Sequence, residues 1–368
     1  VESKTVMTIM QKLSPVRSPW RTLRFRQFFS MRLDRRVPLI ASILLLVTFG
    51  VLVISISYGA YKMTPWDVVL TLFNANRDHA DYANFVLVVH TFRLPRILLA
   101  FLVGMALATS GAILQGLTRN PLAEPSLLGI NAGAAVVAVA MIVWLKDVPL
   151  AWLPFGAFGG ALLTATVIYF LAWKGGHSST LRLVLVGVGV AVGLDGIITI
   201  FTVFGDTYDV QQAFLWLTGS VYGRTWEHVK VLSAWLVWLL PLAFLQARSL
   251  NTLHLGDDVA SGLGVAVERQ RAILLVISVA LAAVAVSVAG TLGFVGLVAP
   301  HIVRRLVGPA HEGLLPISAL FGGGLLVLAD LVGRWVIAPS ELPLGVMTAL
   351  IGAPYFMFLL YRNRNQAI

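Results

Sequence analysis

Ten long apolar runs dominate this chain, and they leave few solvents in which it can fold. One helical crossing of a bilayer needs roughly 20 mostly apolar residues. Runs of about that length fall near residues 38–58, 94–117, 126–145, 150–173, 180–204, 229–248, 270–289, 292–307, 312–333 and 343–361. Charged residues make up only 12% of the 368, against about a quarter in a soluble domain. Transmembrane strands would show short alternating segments, and these are absent from the sequence. The fold class is therefore an all-α polytopic membrane protein with about ten transmembrane helices, a single membrane domain over 38–361. Between 270 and 307 the apolar run is also compatible with one long helix broken at Gly290, Gly293 and Gly296.

The charge distribution sets an expected orientation. Residues 1–37 carry nine Lys/Arg against Glu2 and Asp34, the pattern of a cytoplasmic tail beside anionic lipid. Ten spans then return a short C-terminal tail, 362–368, to the same side. That orientation places nineteen of the 27 Lys/Arg in the cytoplasm, including Arg364. A net charge of +10 could also suggest nucleic acid, but there is no folded basic domain with interleaved aromatics, so no nucleic-acid partner is expected. The first apolar run exceeds a signal-peptide core of about 7–15 residues and reads as a retained span, with cleavage near Gly59–Ala60 as the alternative.

Catalytic chemistry finds little to work with. The chain has no cysteine, so thiolate metal sites and cysteine nucleophiles are excluded. It has no G-x-x-x-x-G-K-[ST] loop and cannot hydrolyse ATP through one. The seven histidines never reach metal-ligand spacing, and no nucleophile elbow occurs. Neither a catalytic residue, a metal site nor a cofactor of its own is expected.

Three polar features remain. Asp195, in "VGLDGII", lies deep in the fifth span, where an ionised group is costly and points to function; it either lines a polar path, carries a proton, or fixes helix packing. Arg93 and Arg96 flank Pro95 at the outer end of the second span, with Pro95 starting the helix, and Arg334 lies four residues after Asp330 in the ninth. These arginines either snorkel to headgroups or form forks for carboxylates of an external partner. The third feature is "LHLGDDVASGLGV", residues 253–265, too polar and short to cross a bilayer. Gly256 breaks the chain, Asp257 or Asp258 can cap a short helix, and Val259 and Leu263 share a face with Asp258 and Ser261 turned elsewhere. Such a helix suits a groove on a cytosolic protein.

Four motifs in order, "RLPR" at 93–96, "SGAILQGLTRNPLAEPSLLGINAGA" at 110–134, "GFVGLVAPHIVRRLVG" at 293–308 and "ELPLGVMTALIGAPYFMFLL" at 341–360, carry a resemblance. From about residue 37 onward the chain resembles permease subunits of ATP-binding-cassette importers of the iron-siderophore, haem and vitamin B12 group. The resemblance implies a second permease subunit, identical or homologous, two cytosolic ATPase subunits holding the ATP and Mg²⁺, and an extracytoplasmic substrate-binding protein, all at a bacterial cytoplasmic membrane. It implies that Arg93, Arg96 and Arg334 receive acidic residues of the binding protein. It also implies that residues about 250–267 form the coupling helices seated in the ATPase, with Leu253, Leu255, Gly256, Asp257, Asp258, Val259, Leu263 and Gly264 as the contact set. "QQAFLWLTGS" at 211–220 resembles the short external helix at the pore mouth, which adds Leu217 and Gly219 to Asp195 as pore-lining candidates. "LGDDVASGLGV" and "FLWLTGS" look most like the ferric-siderophore branch, with cobalamin and haem as alternatives. From another class, a secondary transporter would show repeats and a midplane ion site. The basic tail lies outside the resemblance, and lipid is its expected contact.

Overall fold

The computed structural model describes residues 20–25, 29–59, 61–76, 79, 81–174, 177–178 and 180–363. Most of the basic tail, 1–19 and 26–28, and the C-terminal 364–368 with Arg364 lie outside the described residues. Within the tail, β1 (Trp20–Phe25) and β2 (Phe29–Asp34) pair as an antiparallel hairpin, Trp20 opposite Asp34. A second, minimal hairpin joins β3 (Trp173–Lys174) to β4 (His177–Ser178).

Among the described residues fourteen helices follow from the apolar runs and their punctuation: α1 (Arg36–Ser57), α2 (Pro65–Leu72), α3 (Tyr82–Thr118), α4 (Ile130–Val143), α5 (Leu153–Ala172), α6 (Thr180–Val203), α7 (Thr207–Leu217), α8 (Trp226–Leu245), α9 (Ala247–His254), α10 (Asp257–Gly262), α11 (Val267–Ala289), α12 (Val295–Val307), α13 (His311–Val336) and α14 (Leu344–Asn363). Eight of them, α1, α3, α5, α6, α8, α11, α13 and α14, are long and apolar enough to cross a membrane.

The remaining two of the ten expected spans are shorter, 14 residues in α4 and 13 in α12. At 1.5 Å per residue each reaches only about 20 Å, so non-helical backbone completes the distance. Irregular backbone at such depth is tolerated only when protein satisfies its polar groups. Before α4, a 3₁₀ turn at Pro125–Leu128 extends the path. Before α12, residues 290–294 break the long apolar run, and Glu124 accepts the Phe294 N–H at 2.5 Å. Gln115 donates to the Gly296 and Leu297 carbonyls at 3.3 and 3.2 Å, and Thr291 donates to the Leu217 carbonyl. The 270–307 run is thus two helices, α11 and α12, with the break at Gly290 in a left-handed conformation (φ +75°).

Small residues bring the central helices together. A Cβ added at Gly104 of α3 would lie 2.2 Å from the Gly322 carbonyl of α13, and one at Gly111 would lie 1.9 Å from the Gly296 carbonyl of α12. Where packing rather than hydrophobicity drives association, such contacts set the bundle's shape. Between them Ser110 of α3 and Ser278 of α11 pair at 2.8 Å in the buried core.

Pro95 stands at the start of the α-helical stretch Leu94–Thr118, as its position suggested, but the continuous helix does not begin there. Helix α3 begins thirteen residues earlier at Tyr82 and passes through Leu87–Arg93 with π-type turns. The wider turn absorbs the hydrogen bond that the proline nitrogen cannot donate.

Candidate functional site

Two ends of the bundle carry the polar features. At the first, Asp330 of α13 is 3% exposed and lies between two guanidinium groups. Arg96 donates to its Oδ1 through Nε (3.1 Å) and Nη2 (2.8 Å), while Arg334 donates to Oδ2 at 3.1 Å. Arg96 also reaches Glu341 at 2.7 Å. Arg334 is 8% exposed and donates to Ser55 Oγ (2.5 Å), the Ser55 carbonyl (3.2 Å) and the Tyr58 carbonyl (3.1 Å). Arg93 donates to the carbonyls of Ile56 (2.5 Å), Ser57 (3.2 Å) and Tyr61 (2.6 Å). The last turn of a helix leaves carbonyls unpaired and carries partial negative charge. Arg93 and Arg334 therefore cap α1 as cations.

The sequence-expected trio is brought together here, lining a cavity of about 990 Å³ with Tyr58, Lys62 and Glu341. Each arginine already holds internal acceptors. Two acids, Asp330 and Glu341, stand among these arginines, and Glu341 is the more exposed acid. Sequence reading paired Asp330 with Arg334 by their spacing of four. It missed Asp330 with Arg96 and Glu341 with Arg96, contacts between residues 234 and 245 positions apart.

The opposite end carries α9 and α10. Asn251 accepts the His311 N–H at 3.0 Å and donates to Glu312 at 2.6 Å, tying α9 to the start of α13. Asp257 bridges Arg119, at the end of α3, and Arg271, in the first turns of α11, the latter at 2.8 Å. Gly256 (φ +115°) turns the chain between the two short helices, and Gly264 (φ +83°) turns it again afterwards. Leu253 and Ala260 are buried beneath. Outward face Leu255 at 63% exposure, Val259, Leu263 at 65%, and Asp258. The adjacent acids, read from sequence as one pair, thus divide: Asp257 anchors the unit and Asp258 faces out.

Asp195 occupies the open side of α6, about 12 Å by helical rise from its Val203 end. It is exposed, and Gly189, Gly193 and Gly196 on the same helix have open space where a Cβ would stand. Leu217 and Gly219 sit elsewhere: Gly219 is buried (φ +68°) with its Cα pressed toward the Thr291 carbonyl, and the Leu217 carbonyl accepts from Thr291. No group of three or more His, Asp or Glu side chains could hold a metal ion among the described residues.

Comparison with known proteins places this architecture. The family model described as the FecCD transport family matches residues 44–362. The "Probable siderophore transport system permease protein YfhA" of Bacillus subtilis is 46% identical over 338 residues, covering 90% of this chain and 97% of that protein. The iron(3+)-hydroxamate import system permease protein FhuG of the same organism is 43% identical, covering 87% and 97%. Proteins named for cobalamin and hemin transport match as well. Among solved structures, a transporter of the metal-chelate ABC type in an inward-facing conformation superposes with a TM-score of 0.78 at 30% identity, covering 88% of this chain and 99% of that one.

Proposed function

The chain belongs to the FecCD transport family, and from that premise we propose that it is the permease subunit of an ATP-driven importer carrying ferric siderophores across a bacterial cytoplasmic membrane. The observation that carries this reading is the α9–α10 unit. It is tied to the ends of α3, α11 and α13, yet exposes Leu255, Val259 and Leu263 outward. A rigid mount under an apolar contact face can pass a partner's motion into three spans at once. That partner is a cytosolic ATPase, two copies per importer, holding ATP and Mg²⁺, because this chain has no phosphate loop.

The arginine end then faces outward and receives the binding protein. Internal pairing makes docking an exchange: an incoming carboxylate competes with Glu341 for Arg96 and leaves Asp330 in place as the structural counter-ion. Glu341→Gln is therefore expected to tighten the binding protein's affinity about five-fold by weakening one charge-assisted hydrogen bond. Titration of the loaded binding protein against the importer in nanodiscs reads this; an unchanged or weaker affinity counts against the exchange. The open face of α6, with Asp195, seats the second permease subunit across the translocation path. ATP binding and hydrolysis shift the two access states through contacts that differ between them.

Uptake of radiolabelled iron as hydroxamate, catecholate and citrate complexes, in cells with and without the chain, tests the cargo. Loss of one chelate's uptake, restored by the intact gene, is the expected result. Unchanged uptake of all three would move cobalamin and haem to the front.

A further inference from the structure

Beside the docking arginines lies a second cavity, of about 920 Å³, into which Arg96, Trp216, Tyr222, Arg224, His228 and Glu341 face. Its volume is that of a small-molecule site and several times that of one carboxylate side chain. Arg96 is already neutralised by Asp330 and Glu341 and lies over the Tyr222 ring at 5.8 Å. Arg224 differs. Its guanidinium forms no ion pair among the described residues, and its one hydrogen-bonding neighbour there is the His228 ring nitrogen at 3.4 Å. Its Nε is buried and unpartnered, and so is the Nε1–H of Trp216, a side chain 7% exposed. Burial holds the Arg224 guanidinium below its usual basicity.

Unpaired buried donors are costly, and a buried cation without an anion more so. An arginine without an anion in a concave wall, with the Tyr222 ring beside it, matches a ligand that brings anionic oxygens. We propose that this cavity is an anion-binding vestibule for the oxygen-donor iron chelate itself, with Arg224 as the recognising group. This rests on the importer reading above and names the chemical class of cargo its mouth selects: chelates with net negative charge.

The test uses the complete importer in nanodiscs without its binding protein, and two probes, anionic ferric citrate and a neutral ferric trihydroxamate. Saturation binding is expected to weaken about ten-fold for ferric citrate in Arg224→Gln, the loss of one charge-assisted contact, and by less than about two-fold for the neutral chelate. Arg224→Lys is expected to recover most of the loss. Assembly with the ATPase, followed by size exclusion, shows that each variant is folded. Absence of saturable ferric citrate binding in the wild type, or equal binding in Arg224→Gln, overturns the proposal. So does an Arg224→Gln defect confined to affinity for the binding protein, which would make Arg224 a docking group. Failure of every ferric chelate to be taken up by cells, with vestibule binding intact, sinks the transport reading alone.

Discussion

Replacing Leu255 and Leu263 together with aspartate is expected to abolish transport without unfolding the chain. Both side chains are more than 60% exposed, so the isolated permease loses no core contact. Burying one leucine in a partner groove contributes about 1.5–3 kcal/mol. Losing two, and placing two charges in an apolar groove, weakens ATPase association by roughly 100-fold or more. Co-purification of the ATPase with the permease measures association, and chelate uptake measures its consequence. Val259→Asp alone is expected to show a smaller defect of the same kind. Retained co-purification and uptake in the double variant would remove α10 from the coupling role. Asp257→Lys is a poorer test, because Asp257 bridges Arg119 and Arg271 and its reversal would loosen the mount itself. Asp258→Lys probes the outward face without that complication.

The second large effect is expected at Asp330. It is almost fully buried between Arg96 and Arg334. Removing one partner of a buried ionic group leaves uncompensated charge and costs about 3–5 kcal/mol. Asp330→Leu should therefore lower thermal stability sharply in detergent, and Asp330→Asn, which keeps an acceptor, should lower it less. Adding Arg334→Leu to Asp330→Leu is expected to recover part of the loss, giving a non-additive cycle. A stability change within about 0.5 kcal/mol for Asp330→Leu, the range of an ordinary surface substitution, would show that the Ser55 and Tyr58 acceptors satisfy Arg334, and Glu341 satisfies Arg96, without Asp330. The prediction matters for docking as well. A binding protein that drew Arg334 away from Ser55 and Tyr58 would have to break the cap of α1, whereas Arg96 can be reached by displacing Glu341 alone.

Several features of the site were legible before any fold was known. The "RLPR" motif marked Arg93 and Arg96, and the spacing of four marked Asp330 with Arg334, because residues one helical turn apart meet whatever surrounds them. The short polar helix was legible because Asp258, Ser261, Val259 and Leu263 segregate at helical period. Arg224 gave no such signal. It belongs to no periodic face, and its significance is the absence of a neighbour, which no local pattern encodes. Asp257 and Asp258 were indistinguishable for a related reason: adjacent acids on a short helix differ only in what each one meets, and Arg119 lies 138 residues from Asp257.

The same division holds for the fold. The apolar runs, eight of which are helices long and apolar enough to cross a membrane, were readable because the bilayer acts on each residue locally: an apolar run of sufficient length partitions into hydrocarbon, and a charged one does not. Where helices begin and end at depth was decided by tertiary contact. Helix α3 passes into Pro95 from a π-type turn, α4 is preceded by a 3₁₀ turn at Pro125–Leu128, and α12 starts late because 290–294 find their hydrogen-bond partners on other segments. Inside a membrane a backbone group freed from its helix must be satisfied by protein, and only the assembled bundle brings Glu124 to Phe294 or Thr291 to Leu217. Sequence by itself determined that this chain is a multi-span membrane helix bundle with a polar unit at one end and arginines at the other. Tertiary structure decided which acid each arginine meets and that Arg224 lines a cavity with no ion pair among the described residues, because pairing depends on distance in three dimensions and hydropathy does not.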